Sequence, residues 1–327
     1  MKRSVPISAK AKEILRANPS VVGFSEVLMP KLVKGKPTAI MAIRVFVEKK
    51  LPKSKIPAGN ALPKKIGNIP VDVEQIGRIE PLDTCANYGA HPIRPIPNRG
   101  RFVPVLGGAS GHYTANSRCA TLGYFVRDRR PMHPPQKPQW YALSCAHVLQ
   151  PPPALSAQNE TIQPSIGDGG IPPQHWIGKE SLYTYDDVDA AISQIDIGAR
   201  AELIDLPVPV GTGEPEIGMT VAKSGRTTGV THGTITADRI ELNFQRWGTS
   251  PNPVRFIHVF QIEREHGCFA CGGDSGSLII QPARKIAIGL LFGGDIPTLR
   301  RIYASPIDLV MSKFPGKILV KPGETYP

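Results

Sequence analysis

The run from residue 273 to residue 277 constrains this chain more than any other part of its sequence. It reads Gly-Asp-Ser-Gly-Ser, and glycines close to a serine let the backbone approach a substrate carbonyl. The N–H groups of Gly273 and Ser275 can then point at one oxygen atom, which stabilises an oxygen that becomes negative during a reaction. The run therefore predicts a tight turn with a nucleophile, Ser275, and an oxyanion hole made by Gly273 and Ser275.

Two further segments offer the partners that such a serine needs. His147 follows the apolar, β-prone run 140–143, so we expect it at a strand end, in position to act as a general base. Asp189 lies in the otherwise apolar run 188–192, where a carboxylate needs a partner such as a histidine. A lone histidine is more often a core residue, so the prediction depends on all three segments. Their order, His147, Asp189 and Ser275, is neither that of subtilisin nor that of the α/β-hydrolases.

The same segments resemble the catalytic blocks of the trypsin-like serine proteases of the chymotrypsin fold. The matching stretches are Ser-Cys-Ala-His-Val at 144–148, Asp-Ala-Ala-Ile at 189–192 and Cys-Gly-Gly-Asp-Ser-Gly-Ser at 271–277. Shorter stretches resemble, more narrowly, the intracellular, HtrA-related trypsin-like proteins of bacteria, including the Nal1-like group, at 121–124, 223–229 and 289–293. The resemblance covers residues 105–315, approximately, and implies a catalytic triad.

The resemblance also assigns roles to single residues. Ser275 is expected to be the nucleophile, His147 the general base and Asp189 the carboxylate that orients the histidine. Asp186 and Asp187 stand in the same run, but the Asp-Ala-Ala-Ile match favours Asp189.

The fold that the resemblance implies is all-β, with two six-stranded β-barrels and the catalytic residues in the cleft between them. His147 and Asp189 would lie on the first barrel and Ser275 on the second. We expect a linker at 198–214, where prolines and glycines interrupt the pattern, and a C-terminal helix at 307–314, opened by Ser305 and Pro306. Short β-rich runs separated by turn residues agree with this architecture, at 121–127, 139–144, 189–197, 220–223, 233–242, 255–262, 277–280 and 285–292.

Length and charge divide the chain of 327 residues into two units. We predict a basic N-terminal α+β module at 1–84 and a protease domain at 85–327, with the first barrel at about 105–198 and the second at about 213–305. The module is expected to contain a helix and three strands, at 9–17, 21–29, 39–47 and 71–76.

The excess positive charge of the chain lies in this module. Residues 1–66 hold 15 Lys and Arg against 3 Glu, whereas residues 67–327 carry 24 charges of each sign. The charge is compatible with a solvated face of structural or assembly role, with an anionic partner, or with nucleic acid. Only Phe24 and Phe46 could stack on bases in this part of the sequence, which argues against sequence-reading RNA binding.

Five cysteines, an odd number, favour free thiols and a cytoplasmic location. The first residues agree with that location, because they lack the apolar run of a signal peptide. Cys268 and Cys271 form a Cys-x-x-Cys pair, for which a metal site and a regulatory disulfide are alternatives to two small buried residues. Zinc needs four ligands, and Cys85, Cys119 and Cys145 offer no second pair, so we expect no metal. No cofactor and no membrane span are expected either.

Four residues are expected to form the substrate pocket. In trypsin-like enzymes the residue six before the nucleophile lies at the pocket base, and here it is Phe269. An aspartate there would bind Lys or Arg, whereas Phe269 implies cleavage after small or medium apolar residues. Gly293 and Gly294 would leave the pocket wall open, and Phe292 would narrow it.

The sequence thus predicts a serine endopeptidase that acts on a protein or peptide substrate. An anionic partner at the basic N-terminal module is an additional candidate. Two alternatives use the same residues: a latent or non-catalytic binding or scaffold protein, and an esterase. Relatives of the HtrA type often form trimers or larger assemblies, so a homo-oligomer is a further expectation.

The resemblance also raises the question of activation. In the activated secreted enzymes, the aspartate that matches Asp274 pairs with a newly cut N-terminus. The stretch 105–108 resembles such an N-terminus, but the cut would have to follow Pro104. We therefore expect control by loop rearrangement on ligand binding or assembly instead.

Overall fold

The computed structural model describes residues 5–33, 36–82, 97–114, 118–130, 138–151, 154, 160–296 and 298–327. Its helices are α1 Ala9–Arg16, α2 Ala146–Leu149 and α3 Ile307–Ser312. Its strands are β1 Val21–Ser25, β2 Met29–Val33, β3 Lys36–Val47, β4 Lys65–Ile66, β5 Ile69–Gln75, β6 Arg78–Pro81, β7 Val105–Gly107, β8 His112–Tyr113, β9 Tyr124–Asp128, β10 Trp140–Ser144, β11 Glu160–Ile162, β12 Trp176–Thr184, β13 Asp186–Asp187, β14 Ala190–Ile195, β15 Ala199–Leu203, β16 Gly211–Thr212, β17 Thr220–Gly225, β18 Gly229–Phe244, β19 Val254–Glu263, β20 Leu278–Gln281, β21 Ile286–Ile296, β22 Arg301–Pro306, β23 Lys317–Leu319 and β24 Thr325–Tyr326. The predicted all-β fold with few helices is confirmed.

The helices are short. In the described part of the chain the longest, α1, has eight residues, and none is long and apolar enough to cross a membrane.

The second predicted barrel is a closed ring of six strands. Its strands pair in the order β19-β22-β21-β20-β17-β18, and β18 also pairs with β19, which completes the ring. Closure gives every strand of the ring a hydrogen-bonded neighbour on each side. Its buried apolar side chains include Phe260, Ile262, Ile279, Ile288 and Leu291. Ser275 lies in the turn that leads into β20, so the ring holds that turn at one of its ends.

The first barrel region consists of two sheets. One has seven strands in the order β23-β9-β10-β14-β12-β11-β8, and the other has three, in the order β24-β15-β7. The predicted linker at 198–214 contains a strand near its start, and its role as a linker between the barrels stays a prediction. Residues 199–203 alternate buried and partly exposed side chains and pair with both β7 and β24, so they form strand β15. The C-terminal helix α3 begins at Ile307, with Pro306 instead of Ser305 as its N-cap residue.

The N-terminal residues extend the sheet of the second barrel. Strand β1 pairs antiparallel with β18, β3 follows beside β1, and β5 runs parallel to β3. Alternation along β3 gives it two buried faces: Ile43 and Val45 pack in a cluster with Leu15 of α1, while Phe46 joins the core of the barrels. The predicted strand 21–29 is divided, because β1 ends at Ser25. The division at residue 84 falls outside the described residues and stays a prediction.

Two charged contacts join this N-terminal part to the second barrel. Arg16 donates two hydrogen bonds of 2.7 Å to Glu241, whose side chain is completely buried on β18. His258 Nδ1 lies 2.7 Å from Glu26 Oε2 and Lys12 Nζ lies 3.3 Å from Glu26 Oε1. The bond to Glu26 raises the pKa of His258, since it favours the protonated ring. Burial opposes ionisation of Glu26, but the contacts with His258 outweigh it and lower the pKa of Glu26.

The prediction of mostly free thiols is wrong. Cys268 and Cys271 form a disulfide, with their Cα atoms 6.5 Å apart, and Cys119 is disulfide-bonded as well. Cys145 is buried, and its Sγ lies 3.1 Å from the carbonyl oxygen of Leu291. The turn at 268–271 brings the two sulfur atoms together. The Cys-x-x-Cys spacing in the sequence does not by itself show whether the two thiols meet. Cys85 lies outside the described residues.

We predict that the Glu26–His258 pair stabilises the fold most between about pH 4.5 and pH 6.5, the ordinary pKa values of the two groups. The contribution is lost as the pH falls through the lowered pKa of Glu26, and again as it rises through the raised pKa of His258. His258 is half exposed, so the expected size is below about 1 kcal/mol. The free energy of unfolding in urea should differ most between wild type and His258→Asn inside this window.

Asparagine is the substitution of choice because residue 258 has a φ of 55°, which Asn tolerates. Glu26→Gln is the matched control and should remove the same pH dependence. A difference between wild type and His258→Asn that stays constant across the pH range would contradict the prediction.

Candidate active site

His147 lies in α2, the single helical turn that follows strand β10, directly after the strand end where the sequence placed it. The residues before it contact both barrels. Ser144 Oγ donates to the carbonyl oxygen of Thr121 at 2.8 Å, and Cys145 Sγ contacts Leu291 of β21. These contacts hold the start of α2 at the junction between the two barrels, and the side chain of His147 is buried.

Asp189 stands between β13 and β14 and contacts His147 twice. Its Oδ2 is hydrogen-bonded to Nδ1 of His147, and its Oδ1 accepts the backbone N–H of the same residue at 3.2 Å. A proton on Nδ1 leaves the lone pair on Nε2, the atom that a general base uses. Asp186 and Asp187 lie elsewhere, because both carboxylates bind Lys313, at 2.9 and 3.1 Å. The structure therefore brings Asp189, and neither neighbour, to the histidine.

Trp247 is a site residue that sequence reasoning missed. Its Nε1–H donates to Asp189 Oδ2 at 2.5 Å, and its ring lies edge-on to the ring of His147 with centroids 6.2 Å apart. The loop that follows β18 carries this tryptophan over the pair. Trp247 is one of three tryptophans, and no spacing pattern links it to Asp189, so the sequence held no signal for the contact.

Two N–H groups in the turn around Ser275, which the sequence predicts to form an oxyanion hole, converge on one carbonyl group. The N–H groups of Gly273 and Ser275 both donate to the carbonyl oxygen of Leu82, at 2.7 and 3.0 Å. Ser275 Oγ accepts the N–H of Leu82 at 2.9 Å and donates to the carbonyl oxygen of Phe292 at 3.1 Å. Gly276 has a φ of 88°, and a Cβ there would lie 2.0 Å from Ser144 Oγ, so glycine permits the contact between barrels at this point.

A buried ion pair also contacts the turn around Ser275. Asp274 Oδ2 lies 3.3 Å from Lys223 Nζ, and both side chains are completely buried. The carboxylate also accepts the N–H groups of Thr227 at 2.8 Å, Thr228 at 3.2 Å and Cys271 at 2.9 Å. Burial lowers the pKa of Lys223, while the charge of Asp274 opposes this shift. The carboxylate of Asp274 thus has a buried lysine as its ion-pair partner.

The stretch 105–108, whose sequence resembles a newly cut N-terminus, lies within a sheet in this structure. Val105 begins strand β7, and its N–H donates to the carbonyl oxygen of Gly198 at 2.9 Å within the three-stranded sheet. Asp274 already has its cation, so the turn of Ser275 is ordered without a cut before Val105.

The predicted pocket residues surround the segment that ends at Leu82. Phe269 is buried and shares one apolar cluster with Leu82. Gly293 and Gly294 pair with Pro81 and Glu80 of β6, as in an antiparallel sheet. A Cβ on Gly293 would lie 2.8 Å from the carbonyl oxygen of Glu80, so glycine lets β6 come this close.

Phe292, which was predicted to narrow the pocket, lies in an aromatic cluster, and the narrowing stays a prediction. Its ring packs edge-on against Trp247, with centroids 5.6 Å apart, and against Phe256 at 5.2 Å. Its carbonyl oxygen accepts the hydrogen bond of Ser275 Oγ.

Cys145, His147 and Asp189 offer three possible metal ligands within 4.8 Å of one another. The Asp189 carboxylate is already shared by His147 and Trp247, and Cys145 Sγ contacts the carbonyl of Leu291. Hydrogen bonds thus account for the arrangement of these side chains, and the expectation of no metal at this site stays a prediction.

Comparison with known proteins finds solved structures whose backbone resembles part of this chain. No protein-family profile and no curated protein matches the sequence. Thermobifida fusca Protease A is 18% identical over 66% of this chain and 98% of its own, with a TM-score of 0.44. A glutamic acid specific serine protease is 20% identical over 66% of this chain and 100% of its own, at 0.47, and Nocardiopsis protease is 17% identical over 65% and 97%, at 0.42. With TM-scores below 0.5, these similarities carry no argument about the site.

We predict that Lys223→Met destabilises the fold by about 3–5 kcal/mol, because it leaves the carboxylate of Asp274 buried without its cation. The free energy of unfolding in urea measures this cost. Lys179→Met, an exposed lysine on β12, is the matched control and should change stability by less than about 0.5 kcal/mol. Adding Asp274→Asn to Lys223→Met should recover part of the loss, and equal costs for Lys223→Met and Lys179→Met would contradict the ion-pair role.

We predict that, in a Leu82→Asp background that frees the buried Ser275, Trp247→Phe slows the reaction of Ser275 with a fluorophosphonate by about tenfold to a hundredfold. This is the value of one hydrogen bond to a charged group. The phenylalanine ring keeps the packing, but Asp189 loses a donor. The carboxylate then stabilises protonated His147 more strongly, so the acid limb of the pH–rate profile should move to higher pH. Trp140→Phe, in the core of the first barrel, is the control, and an unmoved acid limb in Trp247→Phe would count against the positioning role.

Proposed function

We propose that this chain is a serine endopeptidase. Ser275 is the nucleophile, His147 the general base and Asp189 the carboxylate that orients His147, while the N–H groups of Gly273 and Ser275 stabilise the oxyanion. One observation carries the proposal: both of these N–H groups donate to the carbonyl oxygen of a single peptide group, that of Leu82. An amide carbonyl bound in this way is polarised for attack by the adjacent hydroxyl.

The proposed reaction follows from these positions. The Ser275 hydroxyl turns from the carbonyl of Phe292 to Nε2 of His147 and then attacks the substrate carbonyl carbon. His147 takes the proton and returns it to the leaving amine, and Asp189 with Trp247 holds the ring in one tautomer. Water hydrolyses the resulting ester with His147 again acting as base.

The proposed substrate is a protein or peptide cut after a small or medium apolar residue. The support is the pocket: Phe269, Ala270 and Leu291 belong to the apolar cluster that buries Leu82. A lysine or arginine in this apolar cluster would have its charge removed from water, which is costly.

The occupied cleft supports a second candidate, a latent or non-catalytic binding or scaffold protein. Ser275 is 0% and His147 1% exposed, so no peptide in solution reaches them while Leu82 lies at the turn. An esterase would use the same residues, and the rates of peptide and ester hydrolysis separate it from an endopeptidase.

The basic N-terminal module is the proposed site for an anionic partner. Its exposed lysines support this, namely Lys10, Lys49, Lys50, Lys64 and Lys65. A homo-oligomer and a relation to the HtrA-related proteins stay predictions. The cytoplasmic location also stays a prediction, and the disulfides of Cys119 and Cys268–Cys271 remove the support that free thiols gave it.

A fluorophosphonate probe tests the proposal in a variant whose cleft is open. Leu82→Asp places a carboxylate in the apolar cluster, so we expect the segment to leave the cleft. In this background Ser275 should be labelled. Peptides with Leu before the cut should be hydrolysed faster than peptides with Lys at that position. Adding Ser275→Ala or His147→Ala should abolish both the labelling and the hydrolysis. Absence of labelling in the Leu82→Asp variant would refute the endopeptidase and leave the latent binding protein.

A further inference from the structure

The segment 78–82 lies in the cleft as a peptide substrate lies. Strand β6 runs antiparallel to the end of β21, with Glu80 opposite Gly294 and Pro81 opposite Gly293. Leu82 follows directly, and its buried side chain fills the cluster of Phe269. Strand pairing together with a filled side-chain pocket is how extended peptides are recognised at the edge of a sheet.

The carbonyl group of Leu82 is the one that the site holds for attack. Its oxygen receives hydrogen bonds of 2.7 and 3.0 Å from Gly273 and Ser275, and its own N–H lies 2.9 Å from Ser275 Oγ. Contacts on both sides of the carbonyl carbon place this atom beside the nucleophile. In the sequence Asp83 follows, so the next peptide bond is an ordinary secondary amide.

We propose that the chain cuts itself between Leu82 and Asp83, an inference that rests on the proposed endopeptidase function. Ser275 Oγ bonds to the carbonyl carbon of Leu82 while its proton passes to His147. The bond from that carbon to the nitrogen of Asp83 breaks as His147 returns the proton to this nitrogen. One water molecule then hydrolyses the ester, which restores Ser275 and leaves residues 1–82 and 83–327.

Contacts far from the cut keep the two pieces together. Strand β1 remains paired with β18, and Arg16 remains bound to the buried carboxylate of Glu241. The new carboxylate of Leu82 lies at the N–H groups of Gly273 and Ser275, which favour an anion. The N-terminal piece therefore stays in the cleft as a bound product, and the cut chain is inhibited until this piece is displaced.

Intact mass and N-terminal sequencing of the purified full chain test the inference. Wild type should yield the two pieces, with a new N-terminus at Asp83, and they should migrate together under native conditions. The conversion should be first order, with a rate that does not change on tenfold dilution, because nucleophile and substrate belong to one chain. Ser275→Ala should remain one piece.

Two substitutions of the same kind provide the controls. Leu82→Asp should remain uncut, whereas Leu51→Asp, at an exposed leucine of the same N-terminal part, should be cut like wild type. Wild type that stays whole while Leu82→Asp reacts with fluorophosphonate at Ser275 would overturn self-cleavage and leave the endopeptidase standing. If Leu82→Asp neither reacts nor hydrolyses peptides and wild type stays whole, both proposals fail.

Discussion

The buried ion pair between Lys223 and Asp274 is the interaction on which the site depends. Asp274 stands between the two residues whose N–H groups form the proposed oxyanion hole, so fixing its carboxylate fixes the direction of both groups. An unpaired carboxylate at this depth would be very costly, and Lys223 is brought to it because β17 pairs with β20 inside the closed ring. The order of the Ser275 turn is thus a property of the barrel.

The N-terminal module shares its sheet with the same barrel and also fills its cleft. Strand β1 joins the sheet at β18, and β6 joins it again at β21, beside Ser275. A segment tethered at both positions has a high effective concentration at the nucleophile, so no diffusing peptide competes with it easily. The proposed inhibition and the proposed self-cleavage therefore have one cause, the pairing of β6 with β21 of the second barrel.

The sequence predicted several parts of the fold and the site because their signals are local. Runs of β-prone residues predicted most strands of both barrels, and the glycines around Ser275 predicted a turn whose N–H groups share one acceptor. Strand β6 was missed because four residues ending in proline carry no period. Trp247 was missed, and the thiols of Cys268 and Cys271 were predicted wrongly, since these contacts depend on how loops approach each other in space.

The sequence by itself determined the chemistry available to this protein: a serine in a glycine turn, a histidine after a strand and an aspartate in an apolar run. Only the tertiary structure decided which groups meet. It brought Asp189, and not Asp186 or Asp187, to His147, paired Asp274 with Lys223, and placed the carbonyl group of Leu82 at the N–H groups of Gly273 and Ser275. Turn geometry and hydrophobic pattern are fixed by neighbouring residues, whereas these contacts join residues far apart in sequence through strand pairing and barrel closure.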